Sequence, residues 1–177
     1  SGGVARFSTF DPTDAESEPR LREGEIDYAI VWMQMARLPV AEQRRLAARL
    51  FRWLRPGGKL LVCERDFGSY RCATWPGDPL QLALWTALQA SLADPHAACR
   101  TRGLLTAAGF ANVTAHKAAS AQTAEGSAGH RLMKRCIVQY AAAGPASPLM
   151  GVALMDELRL RLASGDFTLV YACIGHI

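Results

Sequence analysis

The chain has 177 residues, a hydrophobic fraction of 50% and a formal net charge of +4, with mean hydropathy +0.03 and a pI of about 9.0. This composition excludes a disordered chain and allows one domain with a substantial core. No apolar run reaches the roughly 18 residues of a membrane helix and no basic, then apolar, leader opens the chain, so no membrane partner is expected.

The opening Ser-Gly-Gly lacks a methionine and reads as a processed or truncated end. Residues 4–10, "VARFSTF", alternate apolar and polar and predict a short strand. The proline-bearing polar stretch 11–25 is a loop. Residues 26–33, "IDYAIVWM", predict a strand buried on both faces, as in a parallel sheet. Residues 40–54 form an amphipathic helix, with Leu46, Leu50 and Leu54 in line and Pro39 at its start. Pro56-Gly57-Gly58 stops it, and 59–64, "KLLVCE", is a second buried strand. Strand, helix and strand make a βαβ unit with parallel strands. Ligands of such sheets bind beyond the carboxyl ends of the strands, here 33–36 and 65–70.

Residues 79–92 predict a broadly apolar helix, too apolar to lie free, that packs as a cover. A short helix at 100–108 closes at Gly109, and 110–118, "FANVTAHKA", is the next strand. A small-residue loop to 129 leads to a long strand at 130–141, "HRLMKRCIVQYA". Residues 142–148 read as a linker, 150–162 as a helix, and 167–174 as a last strand. Two domains are therefore expected, 1–143 and a 144–177 extension of helix plus strand.

Five cysteines at 63, 72, 99, 136 and 173 give an odd count with no C-x-x-C, which argues against disulfides and a zinc site. Cys63 and Cys136 lie in apolar runs and read as core. A reducing intracellular compartment, cytoplasm or mitochondrion, is expected. The four histidines lack ligand spacing, so no metal site is predicted. The basic balance fits an acidic partner such as RNA, or an ordinary arginine-rich surface, equally well.

The element order, with "LRPGGKLLV" before one strand and "LLTAAGFANV" before another, resembles the C-terminal two-thirds of class I S-adenosylmethionine-dependent methyltransferases. In that family an "L-x-P-G-G" turn precedes the fifth strand, "a-G-F" precedes the sixth, and the seventh is antiparallel. The resemblance implies an α/β, incomplete Rossmann-like sheet, mostly parallel with its last strand reversed, plus a C-terminal helix-strand extension. Within the superfamily, "RDFGSY", "FDPTD" and "RLMKRCIVQY" are similar to segments of the methyltransferase-like enzymes that make 3-methylcytidine in tRNA, over residues 4–141. The chain departs from them in the 79–92 insertion and after 144. Above all, the glycine-rich loop that cradles the cofactor is missing, along with the first strand, first helix and second strand. "YACIGHI" faintly resembles a first strand and its loop, which would mean permutation, but its glycine spacing is wrong.

The resemblance implies S-adenosylmethionine as cofactor, contacted by Asp11, Trp32 and Gln34, and catalytic roles for Arg65, Asp66 and Tyr70. Residue by residue, other readings stand beside these. Asp11 can simply open a turn. Trp32 and Met33 can be core. Arg65 and Asp66 can orient a base edge while Tyr70 stacks on its face, or they can form an ion pair that ties down the loop. Trp75 and Trp85 are stacking platforms or core. Lys134 and Arg135 contact phosphate or end a solvated strand.

The expected function is part of a methyltransferase acting on RNA, tRNA-like, with no activity from this chain alone. The alternatives are a non-catalytic scaffold in a larger, possibly ribonucleoprotein, assembly, and a small-molecule methyltransferase whose apolar pocket is lined by 79–92. Without a first strand, the edge of 26–33 is an aggregation hazard. Missing sequence, a protein partner or the tail 149–177 is expected to cover it.

Overall fold

The computed structural model describes residues 21–143 and 148–177. The strand expected at 4–10 and Asp11 at its end lie outside them, and the domain boundary expected at 143/144 borders the undescribed stretch. The described residues form one four-stranded sheet in the order β1-β2-β4-β3. Its strands are β1 Ile26–Trp32, β2 Leu54–Arg71, β3 Ala115–Gln122 and β4 Leu169–His176. β1 and β2 are parallel, and β4 runs antiparallel to both β2 and β3. The fold is thus α/β, with three strands in one direction and the last one reversed, as expected.

The β1–β2 crossover is α1, Val40–Trp53, which buries Leu46, Ala47, Leu50 and Trp53 along one stripe. The Pro-Gly-Gly turn does more than end this helix. Pairing with β1 begins at Leu54, opposite Ile26, and resumes at Lys59, opposite Tyr28. The intervening residues bulge outward, with Gly57 at φ +77°. A Cβ on Gly58 would come within 2.9 Å of the Arg55 carbonyl oxygen and 3.2 Å of that of Asp27, so the chain passes there only as glycine. An Arg55–Asp27 ion pair closes the bulge from outside.

α2 (Pro79–Ser91) and α3 (Ala97–Ala108) follow. α3 packs on α1 and on the sheet and ends at Gly109, whose φ of +108° is left-handed. A Cβ there would lie 2.8 Å from the Phe51 ring, and Phe110 meets that ring edge-on at 5.2 Å. The "AAGF" segment is therefore a helix cap fused to a contact with α1.

Several expectations fail here. Residues 130–141 are not a strand; they lie within α4, Ala128–Ala143. Its buried residues His130, Met133, Cys136 and Ile137 recur at helical spacing, and the alternation at the segment's start is incidental. The antiparallel last strand is β4, inserted between β2 and β3. The tail therefore neither supplies a permuted first strand nor covers the edge of β1. β3 starts only at Ala115 and runs into the expected loop, after a turn with Asn112 at φ +57°.

α5, Pro148–Ser164, packs with α2 and α4. Its Arg161 reaches Asp78 with a bidentate pair at 2.6 and 3.0 Å, and both side chains are nearly inaccessible. Asp78 also caps α2, accepting from the Leu80 and Thr74 N–H groups at 2.9 Å. The Trp75 ring lies 4.4 Å from the Arg161 guanidinium and so packs over this pair, while remaining 48% exposed. Trp85 is half-buried within α2.

Alternate side chains of the sheet point to opposite faces. Val31, Leu60, Val62, Glu64 and His176 are buried on the face covered by α1 and α3. On the other face Tyr28, Ile30 and Trp32 are 70%, 68% and 60% exposed, beside half-buried Leu61 and Cys63. β1 is thus not buried on both faces, and Cys63 is not core. Among the described residues no strand pairs with the outer edge of β1. Among the described residues no helix is long and apolar enough to cross a membrane.

Candidate functional site at the carboxyl end of the sheet

The chain leaves β1 through Met33, whose φ of +54° is unusual for a residue with a side chain, while its N–H donates to the Cys63 carbonyl at 2.8 Å. A short 3-10 helix, Met35–Arg37, follows. Buried Glu64 accepts from the Ala36 N–H at 3.1 Å and from the Arg65 N–H at 2.9 Å. The Gln43 amide donates to the Met35 and Leu38 carbonyls at 3.0 and 2.9 Å and to Asp94 at 3.1 Å. These bonds pin the loop and hold Trp32 and Gln34 at the strand end. Trp32 is mostly exposed, so its core reading fails, and Gln34 is half-buried. Met35 is core.

Arg65 and Asp66 are consecutive in β2 and therefore leave the sheet on opposite faces. Asp66 pairs with Lys117 at 3.5 Å. Arg65 lies on the open face, its guanidinium 5.9 Å from the Tyr171 ring. The structure thus brings neither residue to the other, as a joint site or as an ion pair.

Beyond Asp66 the register slips: Asp66 faces Ala172, but Arg71 faces Val170. The Ser69 hydroxyl holds this bulge, donating to the Asp66 carbonyl at 2.6 Å and accepting from the Ala172 N–H at 2.8 Å. Tyr70 is turned inward, 1% exposed. It stacks with Phe67 at 5.5 Å and with Tyr171 at 4.8 Å. No ring face is left for a base, contrary to the stacking role expected for it. The Tyr70 hydroxyl is buried and its hydrogen finds no acceptor, while the Arg65 guanidinium, which can only donate, lies beside it. Burial pushes the phenol up to about 12, with the Arg65 charge opposing.

Arg65, Tyr70 and Tyr171 form one wall of a cleft of about 500 Å³, and Arg131, Lys134 and Arg135 of α4 form the other. No acid lines it. Gly129 lets α4 approach this closely, because a Cβ there would sit 2.6 Å from Cβ of Gln122. The sequence held Lys134 and Arg135 apart from Arg65 and Tyr70. The helical form of 130–141 unites them, since positions i, i+3 and i+4 share one face. The residues expected from the sequence include neither Arg131 nor Tyr171. The signal for Arg131 was that same spacing, whereas none marked Tyr171. α2 does not line this cleft; its buried residues pack towards α4 and α5, so the expectation of an apolar pocket lined by 79–92 is not met.

No family model and no curated protein matches the chain. Among solved structures it is similar to Haemonchus contortus phosphoethanolamine N-methyltransferase 2 in complex with phosphomonomethylethanolamine and S-adenosylhomocysteine, at 12% identity and TM-score 0.41, over 89% of this chain and 35% of that one. The same protein in complex with S-adenosyl-L-methionine gives 11% identity and TM-score 0.41, over 89% and 34%. A Galdieria sulphuraria protein assigned as a sarcosine dimethylglycine methyltransferase gives 12% and 0.40, over 89% and 55%. The chain thus spans about a third of the first two and about half of the third. A likeness of this size does not fix a function.

Proposed function

We propose that the chain is part of an S-adenosylmethionine-dependent methyltransferase of the class I type, acting on RNA, whose cofactor site is completed by further polypeptide or a partner protein. The observation that carries this reading is the reversed β4, which sets Tyr171 beside Arg65 at the carboxyl end of β2. The "LRPGG" bulge and the "AAGF" cap stand at the joints where the resemblance expects them.

The described residues fit only part of the cofactor. Trp32 and Gln34 offer an accessible ring and an amide at the end of β1. Asp11 lies outside the described residues, and no described strand leads into a glycine-rich turn. This wall alone does not make a cofactor site, and no step is assigned through it. Arg65 and the Tyr70 hydroxyl are the residues placed to orient an acceptor. Asp66, on the opposite face, is not.

The cations of the cleft support an RNA acceptor. The narrower likeness to the tRNA 3-methylcytidine enzymes is weakened, because 131–140 was matched to their final strand and is helical here. Two observations favour other readings. A cation-lined cleft whose Tyr70 ring has both faces stacked suits a small anionic acceptor. The open apolar sheet face suits an assembly subunit.

The test is transfer of labelled methyl from S-adenosylmethionine to RNA by the protein purified with its natural partners. Label should appear on RNA, and Arg65→Ala should cut it roughly 100-fold by misplacing the acceptor while leaving the assembly intact. Assembly with no transfer to RNA or small acceptors would favour the scaffold, and label only on small anionic acceptors the small-molecule enzyme.

A further inference from the structure

We propose that the cleft between Arg65, Tyr70 and α4 is a seat for a terminal phosphate, so that the acceptor is a phosphomonoester such as a nucleotide or a phosphate-ended RNA. This rests on reading the carboxyl-end cleft as the acceptor site, and it narrows the acceptor's chemistry.

Four cations, Arg65, Arg131, Lys134 and Arg135, converge on the cleft with no carboxylate among them. That balance suits a dianion better than the single charge of a phosphodiester. Arg65 has its guanidinium 5.9 Å from the Tyr171 ring, and a planar guanidinium fork can take two oxygens of one phosphate. The three α4 cations lie on one arc of the helix. Its first residues, Ala128 and Gly129, also line the cleft, adding the positive end of a 16-residue helix.

An independent observation concerns Tyr70. Its side chain is 1% exposed, it lines the cleft, and its hydroxyl hydrogen has no acceptor, since the neighbouring Arg65 can only donate. A buried hydroxyl hydrogen without an acceptor is costly. A phosphate oxygen in the cleft would accept its hydrogen. The phenol stays protonated at neutral pH and keeps that proton to donate. Arg131 also donates to the Gly126 carbonyl, which ties the cleft's rim to the loop before α4.

The test is calorimetric titration of the full chain with inorganic phosphate, glycerol 3-phosphate and a short single-stranded RNA with hydroxyl ends. Phosphate and glycerol 3-phosphate should bind and compete with each other. Binding should weaken as pH falls through the second phosphate pKa, near about 6. Lys134→Ala with Arg135→Ala, on the exposed arc, and the isosteric Tyr70→Phe should each weaken binding by about tenfold or more, with circular dichroism unchanged. Three results would each overturn the seat: no binding of either phosphate compound, equal binding by the variants, or binding of the hydroxyl-ended RNA that phosphate does not displace. Phosphate binding without methyl transfer by the partnered protein would contradict the methyltransferase reading and spare the seat. Transfer to an acceptor that has no phosphate, unaffected by added phosphate, would do the reverse.

Discussion

Leu60 and Leu61 are neighbours in β2, yet they belong to different environments. Leu60 shares a face with Val62 and Val31 under α1 and α3, all less than 9% exposed. Leu61 shares the other with Tyr28, Ile30 and Trp32, which stand largely in the open. Both faces are apolar by sequence, but around β1 only one is covered by helices among the described residues. A sheet with one face polar would alternate cleanly. A continuous apolar run instead predicts burial on both faces, and here the face of Tyr28, Ile30 and Trp32 stands exposed. Residues within the two faces should therefore respond differently to the same substitution.

The largest expected effect is on the covered face. Val62→Asp should cost about 3 kcal/mol or more by burying a charge, whereas Leu61→Asp should change stability by less than about 1 kcal/mol. Equal losses in denaturant titrations would erase the distinction between the faces. Next comes the buried Arg161–Asp78 pair, where Arg161→Ala would strand Asp78 and should cost about 3 kcal/mol. A loss near zero would mean that α5 is held by its leucines alone. On the open face, replacing Tyr28, Ile30 and Trp32 together by Thr should leave stability within about 1 kcal/mol. It should also reduce self-association measured by sedimentation, and unchanged sedimentation would count against an adhesive face.

The smallest effects are in pH. Burial lowers the pKa of His176 from its ordinary 6.5, with the Arg102 charge adding and the Ala98 carbonyl opposing. The unfolded chain then takes up the proton first, so stability should be full above 6.5 and fall as the pH drops below it. His176→Asn should flatten that slope. For Asp78, burial would raise the carboxyl, but hydrogen bonds from Arg161, Thr74 and Leu80 outweigh it and hold it below 3.8. Its contribution is present above 3.8 and should fade only as the pH falls through the lower folded value.

Local signals were legible. The stripe in α1, the Pro-Gly-Gly break and the Gly109 cap each depend on residues close in sequence, and each formed where expected. The 130–141 segment misled because its apolar runs, Leu132-Met133 and Cys136-Ile137-Val138, are short enough for either period. Arg65 and Tyr70 were legible as candidates from their place at a strand end. The separation of Asp66 from Arg65 follows from strand alternation once β2 extends to Arg71. Tyr171 was not legible, because its place depends on β4 crossing back between β2 and β3, a pairing set by residues about 100 positions apart.

The most direct measurement is S-adenosylmethionine titration of the isolated chain beside the protein taken from its natural source with its partners. On the proposed reading the chain alone should not bind measurably, and the partnered protein should bind at micromolar concentration. Tight binding by the isolated chain would contradict the need for a completing layer, and no binding by either would contradict the methyltransferase reading.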